Sequence, residues 1–358
     1  MVDGRFRASL GNDLTAFSEE DDPDFNQKSL KFMHSIHKIR IGIFTSILFS
    51  LILFGCKKEK VPQQNIKVKI SRFDADSAYS FIQKQVDFGK RYMNTEAHEN
   101  CKNWLASKLK SYDFEVINQE FEAKAYTGEV LKGTNIIGRF NPEVKERMLL
   151  CAHYDTRHIA DKDSVDIELP IDGADDGGSG VGAILEIARQ IHSNPIPMGI
   201  DIIFFDAEDY GNDKRNEEYS WGLGSQYWAK NLHEEDYEVK YGILLDMVGS
   251  KNATFPKEGL SMKTAPNQVN KIWKLAKQLG YQKYFVNRRV GDYVDDHRFI
   301  IEYAKIPMID IINVKDDGRF GHYHHTHQDN MEIISKETLQ AVGQTVLATI
   351  YKESNKEN

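Results

Sequence analysis

Histidines and carboxylates recur in this sequence directly after short apolar segments. These positions are His153, Asp155, Glu208, Asp209 and Asp246. Imidazole and carboxylate groups without paired cysteines form a ligand set that suits Zn²⁺ and leaves room for water or substrate. A bound cation would also explain why so many negative charges share one part of the molecule. For a single carboxylate, a helix cap or a solvated position is the simpler interpretation, so the recurrence is what favours a metal site.

Two further segments carry the same residue types. Asp175 and Asp176 lie in a glycine-rich segment, 173–180, which precedes a helical pattern. Several histidines and Asp329 lie in the segment 322–329, which follows the last apolar segment. Within that segment His322, His324 and His327 surround His325.

The order of elements indicates how these side chains are positioned. From about residue 135, short apolar segments rich in β-formers alternate with helical patterns, which favours a mostly parallel sheet covered on both faces. Apolar residues at helical spacing after residue 180 and again near the C-terminus predict two long helices, the second capped by Ser335. Residues 74–110 are predicted to be helical and to pack on the sheet. The predicted strands are 135–140, 148–153, 200–205, 241–246 and 308–314. Ligands of open parallel sheets bind at the carboxyl edge, so the polar residues after these strands should converge.

Five short motifs follow one another along the chain. They are His153-x-Asp155, GADDGGSG at 173–180, Ala207-Glu208-Asp209, Leu245-Asp246-Met247 and His325-Thr326-x-x-Asp329. Taken in this order, they resemble the motifs of the zinc aminopeptidases of the M28 peptidase superfamily and of their relatives, the glutaminyl cyclases. The resemblance runs from about 85 to 353. It implies a single α/β domain of three layers, α/β/α, with a mixed, mostly parallel central sheet.

The resemblance also implies roles for individual residues. Asp176, Asp209 and His325 match the zinc ligands shared by both branches, and Glu208 matches the catalytic acid/base. His153 and Asp246 match the residues that hold a second zinc in the two-metal aminopeptidases. Cyclases keep similar residues with one zinc, so the expected ion count is one for a cyclase and two for an aminopeptidase. Asp155 would orient His153 through a hydrogen bond.

Three features resemble the cyclase branch in particular. The segment 244–249 resembles the cyclase segment after its fourth strand, and Asp295 begins an Asp-Asp-His motif whose first Asp interacts with the catalytic Glu and with the equivalent of Asp246. Trp221 resembles the aromatic wall beside a substrate glutamine. Further substrate contacts are predicted for His324, Phe320 and Tyr323. The chain departs from the family at three positions: Asp209 replaces the Glu of mammalian cyclases, His324 replaces a common Trp, and Asp310 replaces a His of some cyclases.

Two reactions fit this set of residues. In the first, Glu208 takes a proton from the α-amine of an amino-terminal glutamine, the amine attacks the side-chain carbonyl carbon, and ammonia leaves from a peptide that now begins with pyroglutamate. Asp246 and Asp295 would hold the amine and tune Glu208. In the alternative, Glu208 activates a metal-bound water that hydrolyses the first peptide bond. A non-enzymatic protein with a dead site would have lost Glu208 or a ligand, and none is missing.

The N-terminal part of the chain has the pattern of an export signal. Basic residues precede an apolar segment of about fifteen residues, shorter than the roughly 20 needed for a membrane span, and Cys56 follows it. We therefore predict an upstream extension, disordered or mis-assigned, over 1–32, with Met33 as the initiator. A lipoprotein-type signal peptide over 33–56, a tether over 57–70 and one catalytic domain over 71–358 would follow. The protein would be lipid-anchored through Cys56 and face the periplasm or the cell exterior of a bacterium.

Composition narrows the choice of partners. The net charge of −8 and the isoelectric point near 5.9 give no electrostatic reason to bind nucleic acid. The expected partners are peptides or proteins with a free amino terminus, together with the membrane. Beyond the signal the only cysteines are Cys101 and Cys151, which are predicted to be buried and unpaired, although export would permit a disulfide.

Overall fold

The structure is a computed structural model that describes residues 69–214 and 216–355. These residues belong to one compact unit, 66–358. The predictions for the extension, the signal peptide and all but the last two residues of the tether lie outside the described residues. Within the described residues, no helix has the length and apolar character that a membrane span needs.

The described residues form eight strands. They are β1 Glu115–Lys124, β2 Val130–Phe140, β3 Arg147–His153, β4 Gly199–Phe205, β5 Gly242–Asp246, β6 Phe255–Lys257, β7 Phe285–Arg289 and β8 Met308–Ile312. Six of them form the central sheet, in the order β1-β2-β4-β3-β5-β8. The pairs β1/β2 and β2/β4 are antiparallel, and β4, β3, β5 and β8 run parallel to one another. A separate parallel pair is formed by β6 and β7.

The helices cover both faces of the sheet. They are α1 Ala75–Val86, α2 Glu96–Ser111, α3 Gly178–Ser193, α4 Leu223–Lys230, α5 Gly259–Thr264, α6 Pro266–Gln278, α7 Asp296–Phe299 and α8 Lys336–Ser354. Short 3₁₀ turns lie at Glu218–Ser220 and Met331–Ile333, and a π turn, Ile300–Ala304, continues α7.

Alternation along β3 shows how the sheet separates two apolar cores. Met148 and Leu150 join the core shared with α1, α3 and α8, whereas Leu149 and Cys151 join a second core with Trp228 of α4. Successive side chains of a strand point to opposite faces, so a strand buried on both sides reads as a continuous apolar segment. The predicted three-layer α/β fold with a mixed sheet is confirmed.

The predicted elements are present with shifted ends. Strand β2 begins five residues before its predicted start, and the segment 74–110 is two helices interrupted at 87–95. Ser335 caps α8 by accepting a hydrogen bond from the Thr338 amide, as predicted. Strand β1 was missed because most of its side chains are exposed or half-buried, so it lacks an apolar signal. Cys101 and Cys151 are buried and unpaired, as predicted, and lie in different cores.

Close contact between α3 and the strand ends fixes the glycine-rich segment that carries Asp176. A Cβ atom added at Gly180 would lie 2.0 Å from the Leu245 carbonyl oxygen of β5 and 2.9 Å from the Ala152 Cβ of β3. The helix therefore approaches the sheet at a distance that only glycine permits at this position.

We expect Gly180→Ala to lower the free energy of unfolding by about 1–3 kcal/mol, because the clash with backbone outweighs the better helix propensity of alanine. Urea unfolding followed by circular dichroism measures this. Gly291→Ala is the matched control, since an added Cβ there meets nothing within 4 Å. Equal stability of the two variants would contradict the proposed packing constraint.

Candidate metal centre and active site

The parallel strands end at a common edge, and their ends supply the candidate site. His153 is the last residue of β3 and Asp246 the last of β5, while Glu208 and Asp209 follow β4 after a two-residue turn. The side chains predicted to converge at this edge do converge, because β3 is paired in register with both β4 and β5. Asp176 reaches the same place from the segment before α3, with His153 Nε2 3.1 Å from its Oδ1 atom.

The predicted zinc ligands meet around the imidazole of His325. Its Nε2 atom lies 3.1 Å from Asp209 Oδ1 and 3.8 Å from Asp176 Oδ2. Ligands that each lie about 2 Å from a zinc ion are themselves roughly 3–4 Å apart, so these separations fit a common ion. Both carboxylate oxygens of Asp209 are buried without a hydrogen-bond partner. A buried acceptor that lacks a donor needs an explanation, and a cation supplies one.

A second group of possible ligands shares Asp176 with the first. Atoms of His153, Asp176 and Asp246 lie within 4.8 Å of one another, and His153 Nε2 is 3.3 Å from Asp246 Oδ1. Asp155 Oδ1 faces the other ring nitrogen of His153 at 3.5 Å, which is the position predicted for an orienting group. The donor set therefore fits zinc, with room for one ion beside His325 and for a second beside His153.

Two buried aspartates hold the site by binding backbone amides in pairs. Asp155 accepts hydrogen bonds from the Glu208 and Asp209 amides at 3.0 and 3.1 Å. Asp329 accepts from the Asp175 and Asp176 amides at 2.7 and 3.0 Å. Each aspartate thus fixes a pair of residues that includes one predicted zinc ligand.

Strained backbone marks three positions at this edge. Ala207 precedes Glu208 with φ of 53°, Met247 follows Asp246 with φ of 48°, and His325 itself has φ of 57°. A left-handed conformation of a residue other than glycine costs of order 1–3 kcal/mol and persists only where the surroundings enforce it. Here Asp206 enforces it beside Ala207, because its carboxylate accepts from the Ala207 amide, the Thr134 amide and the Tyr154 hydroxyl.

Their surroundings give different pKa values to carboxyl groups that are chemically alike. Burial raises the pKa of Glu208 well above its ordinary value; the charge of His153 opposes this rise, and the charges of Asp295 and Asp209 increase it. The pKa of Asp246 is raised by burial against its contact with His153. For Asp176 burial is outweighed by the hydrogen bond and charge of His153, which hold its pKa below the usual range.

A cavity of about 300 Å³ opens onto these groups. Glu208, Asp246 and Asp295 line it together, which places the three predicted catalytic residues in one space. Asp295 uses one oxygen to cap α7, and its Oδ2 is buried without a hydrogen-bond partner. Burial raises its pKa well above the ordinary value, and the charges of Asp246 and Asp296 add to the rise.

Three of the four predicted substrate contacts line the cavity. They are Trp221, Phe320 and His324. The Trp221 ring stacks on His325 with a centroid distance of 5.7 Å. The prediction for Tyr323 needs correction: its ring is buried and its hydroxyl contacts Asp175, Ser250 and Asn313, so it packs behind the cavity.

Sequence reasoning missed residues that support the site, among them Arg157 and Asp161. Arg157 donates to the Asp209 and Gly211 carbonyl oxygens and lies 4.7 Å from the Trp221 ring, so it positions a ligand and a wall of the cavity. It also donates from Nε and Nη2 to the carboxylate of Asp161, which faces His325 Nδ1 at 3.3 Å. Arg157 lies two residues after the His153-x-Asp155 motif, and this position is the one feature of the sequence that points to a role at the site.

Comparisons with known proteins agree with this geometry. The model of Peptidase family M28 matches residues 135–350. The chain belongs to peptidase family M28. Among curated proteins, aminopeptidase YwaD of Bacillus subtilis is 30% identical over 264 residues, which cover 70% of this chain but only 51% of YwaD.

Solved structures are more similar and match over nearly their full length. A Bacteroides thetaiotaomicron glutaminyl cyclase bound to N-acetylhistamine is 49% identical with a TM-score of 0.77, covering 79% of this chain and 99% of that one. A Zn-dependent exopeptidase from Parabacteroides distasonis is 51% identical with a TM-score of 0.76, with the same coverage. The M28 chain thus has close structural relatives described as cyclases and as exopeptidases.

The carboxyl groups predict how the metal-free protein responds to pH. The ordinary pKa values are 3.8 for Asp and 4.5 for Glu, and burial raises the pKa values of Asp209 and Glu208 above them in the folded protein. At a pH between its ordinary and its raised pKa, each of these groups binds more protons in the folded state than in the unfolded chain. Its contribution to stability therefore falls as pH rises. His153 acts in the same direction, because contacts that outweigh its burial raise its pKa above 6.5.

We therefore expect chelator-treated protein to be less stable at pH 8 than at pH 6.5. Above the ordinary pKa of histidine, residues such as His158 and His324, whose pKa burial lowers, are neutral in both states and no longer oppose this trend. Urea unfolding at the two pH values measures this. Zinc should reverse the trend, because it binds the deprotonated ligands. Greater stability of the metal-free protein at pH 8 would argue against proton-sharing carboxyl groups at this edge.

Proposed function

We propose that this chain is a zinc-dependent glutaminyl-peptide cyclotransferase that converts amino-terminal glutamine to pyroglutamate and releases ammonia. The similarity to the Bacteroides cyclase supports it, but a similarly close relative is described as an exopeptidase. The observation that carries the choice is therefore in the chain itself. Asp295 is buried in the same cavity as Glu208 and Asp246, with an oxygen that no hydrogen bond occupies.

Asp295 bears on the two reactions differently. In the metal-free protein, three buried carboxyl groups in one cavity resist ionising together, because their charges repel in a medium of low dielectric constant. They share protons, which suits a substrate whose ammonium group must be bound and deprotonated. Hydrolysis with two metal ions would instead require Asp246 as a fully ionised ligand, and in the metal-free protein the charge of Asp295 in the same cavity opposes that ionisation.

The residues then divide the reaction between them. Zn²⁺ bound by Asp176, Asp209 and His325 would supply a Lewis acid for the γ-carboxamide oxygen. Asp246 and Asp295 hold the α-amine, and Glu208 accepts its proton, for which a raised pKa is favourable. The amine nitrogen bonds to the carboxamide carbon, and the bond from that carbon to the amide nitrogen breaks. Glu208 returns the proton to the departing nitrogen, so ammonia leaves and the carboxylate is regenerated.

Aminopeptidase activity is the second candidate, and a specific observation favours it. His153, Asp176 and Asp246 form a compact group that fits a second ion. In that reaction Glu208 would take a proton from water, and the first residue of the peptide would be released.

One incubation separates the candidates. We expect purified protein of measured zinc content, given a peptide that begins with glutamine, to yield the same peptide lacking one ammonia, as detected by mass spectrometry. Release of free glutamine and a shortened peptide would instead establish the aminopeptidase. A peptide that begins with leucine is the matched control, since only the aminopeptidase can process it.

In the same assay Glu208→Gln should lower kcat by roughly 10²–10⁴, the usual contribution of a general acid/base, while zinc stays bound. Glu120→Gln makes the same chemical change at an exposed position of β1 and should leave the rate unchanged. Near-full activity of the Glu208 variant would refute the assigned mechanism.

We further propose that the protein is exported and anchored through a lipid on Cys56, where it meets peptides with free amino termini. The basic, apolar and cysteine order of residues 34–56 supports this. Expression in a bacterial host with a labelled fatty acid should label the wild-type chain in the membrane fraction. Cys56→Ser should abolish the label and release the protein, and a labelled Cys56 variant would contradict the anchor.

A further inference from the structure

Three successive residues of one loop contact three histidines of the segment that carries His325. The pairs are Asp161 with His325 at 3.3 Å, Lys162 with His324 at 3.1 Å and Asp163 with His327 at 3.1 Å, each through Nδ1. The Lys162 amide also donates to the His325 carbonyl oxygen, so the register between the two segments is fixed. The charge of each loop residue therefore determines whether the Nδ1 atom that faces it donates or accepts a hydrogen bond.

Opposite charges select opposite tautomers. The ammonium of Lys162 has donors and no acceptor, so His324 Nδ1 must accept its hydrogen bond, and the proton of the neutral ring lies on Nε2. Asp161 presents a carboxylate, which only accepts and so favours the proton on His325 Nδ1. The Nε2 lone pair of His325 is then free for a metal ion. The imidazoles of His324 and His325 are stacked, with centroids 3.7 Å apart. The Nε2 atom of His324 thus carries a hydrogen, whereas that of His325 does not.

The His324 Nε2 atom lies at the edge of the proposed zinc site. It is 3.7 Å from Asp176 Oδ2, and one ring nitrogen of His324 lies within 4.8 Å of ligand atoms of Asp176 and His325. Its ring lines the cavity and packs against Phe320 at a centroid distance of 4.6 Å. A substrate oxygen placed beside an ion at Asp176 and His325 would be within reach of the Nε2 hydrogen.

We propose that His324 is a hydrogen-bond donor to the γ-carboxamide oxygen of the substrate, and that Lys162 is the positioning residue that fixes its tautomer. This inference rests on the proposed cyclase function. Negative charge develops on that oxygen when the amine attacks, so a fixed donor stabilises the transition state more than the bound substrate. His324 is therefore not a further zinc ligand, because a ligand would need a lone pair on Nε2 while Nδ1 already accepts from Lys162.

The tautomer can be observed without turnover. In zinc-loaded protein labelled with ¹⁵N-histidine, long-range ¹H–¹⁵N correlation should show a protonated Nε2 and an unprotonated Nδ1 for His324. The signals are assigned by their loss in His324→Gln. A protonated Nδ1 with an unprotonated Nε2 would overturn the proposal, whatever reaction the enzyme catalyses.

Kinetics and zinc affinity test the role of the donor. His324→Phe keeps an aromatic ring beside His325 but has no donor, so kcat should fall on the order of 10²-fold with KM changed little. His324→Gln retains an N–H group of similar reach and should recover part of this loss. Zinc affinity should be unchanged in both variants. A tenfold or larger loss of zinc affinity would make His324 a ligand, and an unchanged kcat in His324→Phe would remove its catalytic role.

Substitutions in the loop separate positioning from packing. Lys162→Met should lower kcat and let the His324 tautomer signals change, whereas Lys162→Arg keeps a donor-only cation and should restore both. Asp163→Asn is the matched control, because it alters the neighbouring loop contact to His327, which does not line the cavity. Wild-type protein that forms no pyroglutamate would refute the proposed function, while the tautomer and zinc measurements would still decide the role of Lys162.

Discussion

The burial of many carboxyl groups at one edge of a parallel sheet is the constraint on which the rest of this structure depends. Asp176, Glu208, Asp209, Asp246 and Asp295 are all at least nine-tenths buried there. Bringing like charges together in a low-dielectric interior is strongly unfavourable unless protons, donors or a cation compensate. The proposed zinc ion and the shared protons are two forms of that compensation. The position of each carboxyl group in the fold determines which of the two it receives.

The surrounding residues distribute this compensation unequally. Asp155 and Asp329 use both oxygens on backbone amides and act as structural anchors. Asp176 is held ionised beside His153, whereas burial favours the protonated forms of Glu208 and Asp246. Side chains of one chemical type thereby become an anchor, a candidate ligand or an acid/base according to what faces them. Strained backbone at Ala207 and Met247 lies at the points where the chain must turn to present these groups.

Much of this arrangement could be predicted from sequence because it follows from regular structure. His153, Glu208 and Asp246 were found from their places at the ends of apolar strands, since parallel strands bring their carboxyl ends to one edge. Arg157, Asp161 and Lys162 were missed because the irregular path of a loop, with no period to read, creates their contacts. Tyr323 was misassigned because proximity to His325 in sequence does not determine which way a side chain points. Strand β1 was missed because its exposed residues carry no apolar pattern.

The same constraint bears on how cyclisation and hydrolysis arise on one scaffold. Asp246 can belong to either of two groups: with His153 and Asp176 it completes a second ion site, and with Asp295 and Glu208 it joins a proton-sharing set. A second ion would require Asp246 to ionise fully. In the metal-free protein burial and the charges of Asp176 and Asp209 oppose that ionisation, and Asp295 in the same cavity adds a further carboxyl group. We propose that Asp295 thereby shifts Asp246 from metal binding towards the substrate amine. On this proposal, the charge of Asp295, at the start of α7, helps to determine which of the two reactions the M28 scaffold of this chain performs.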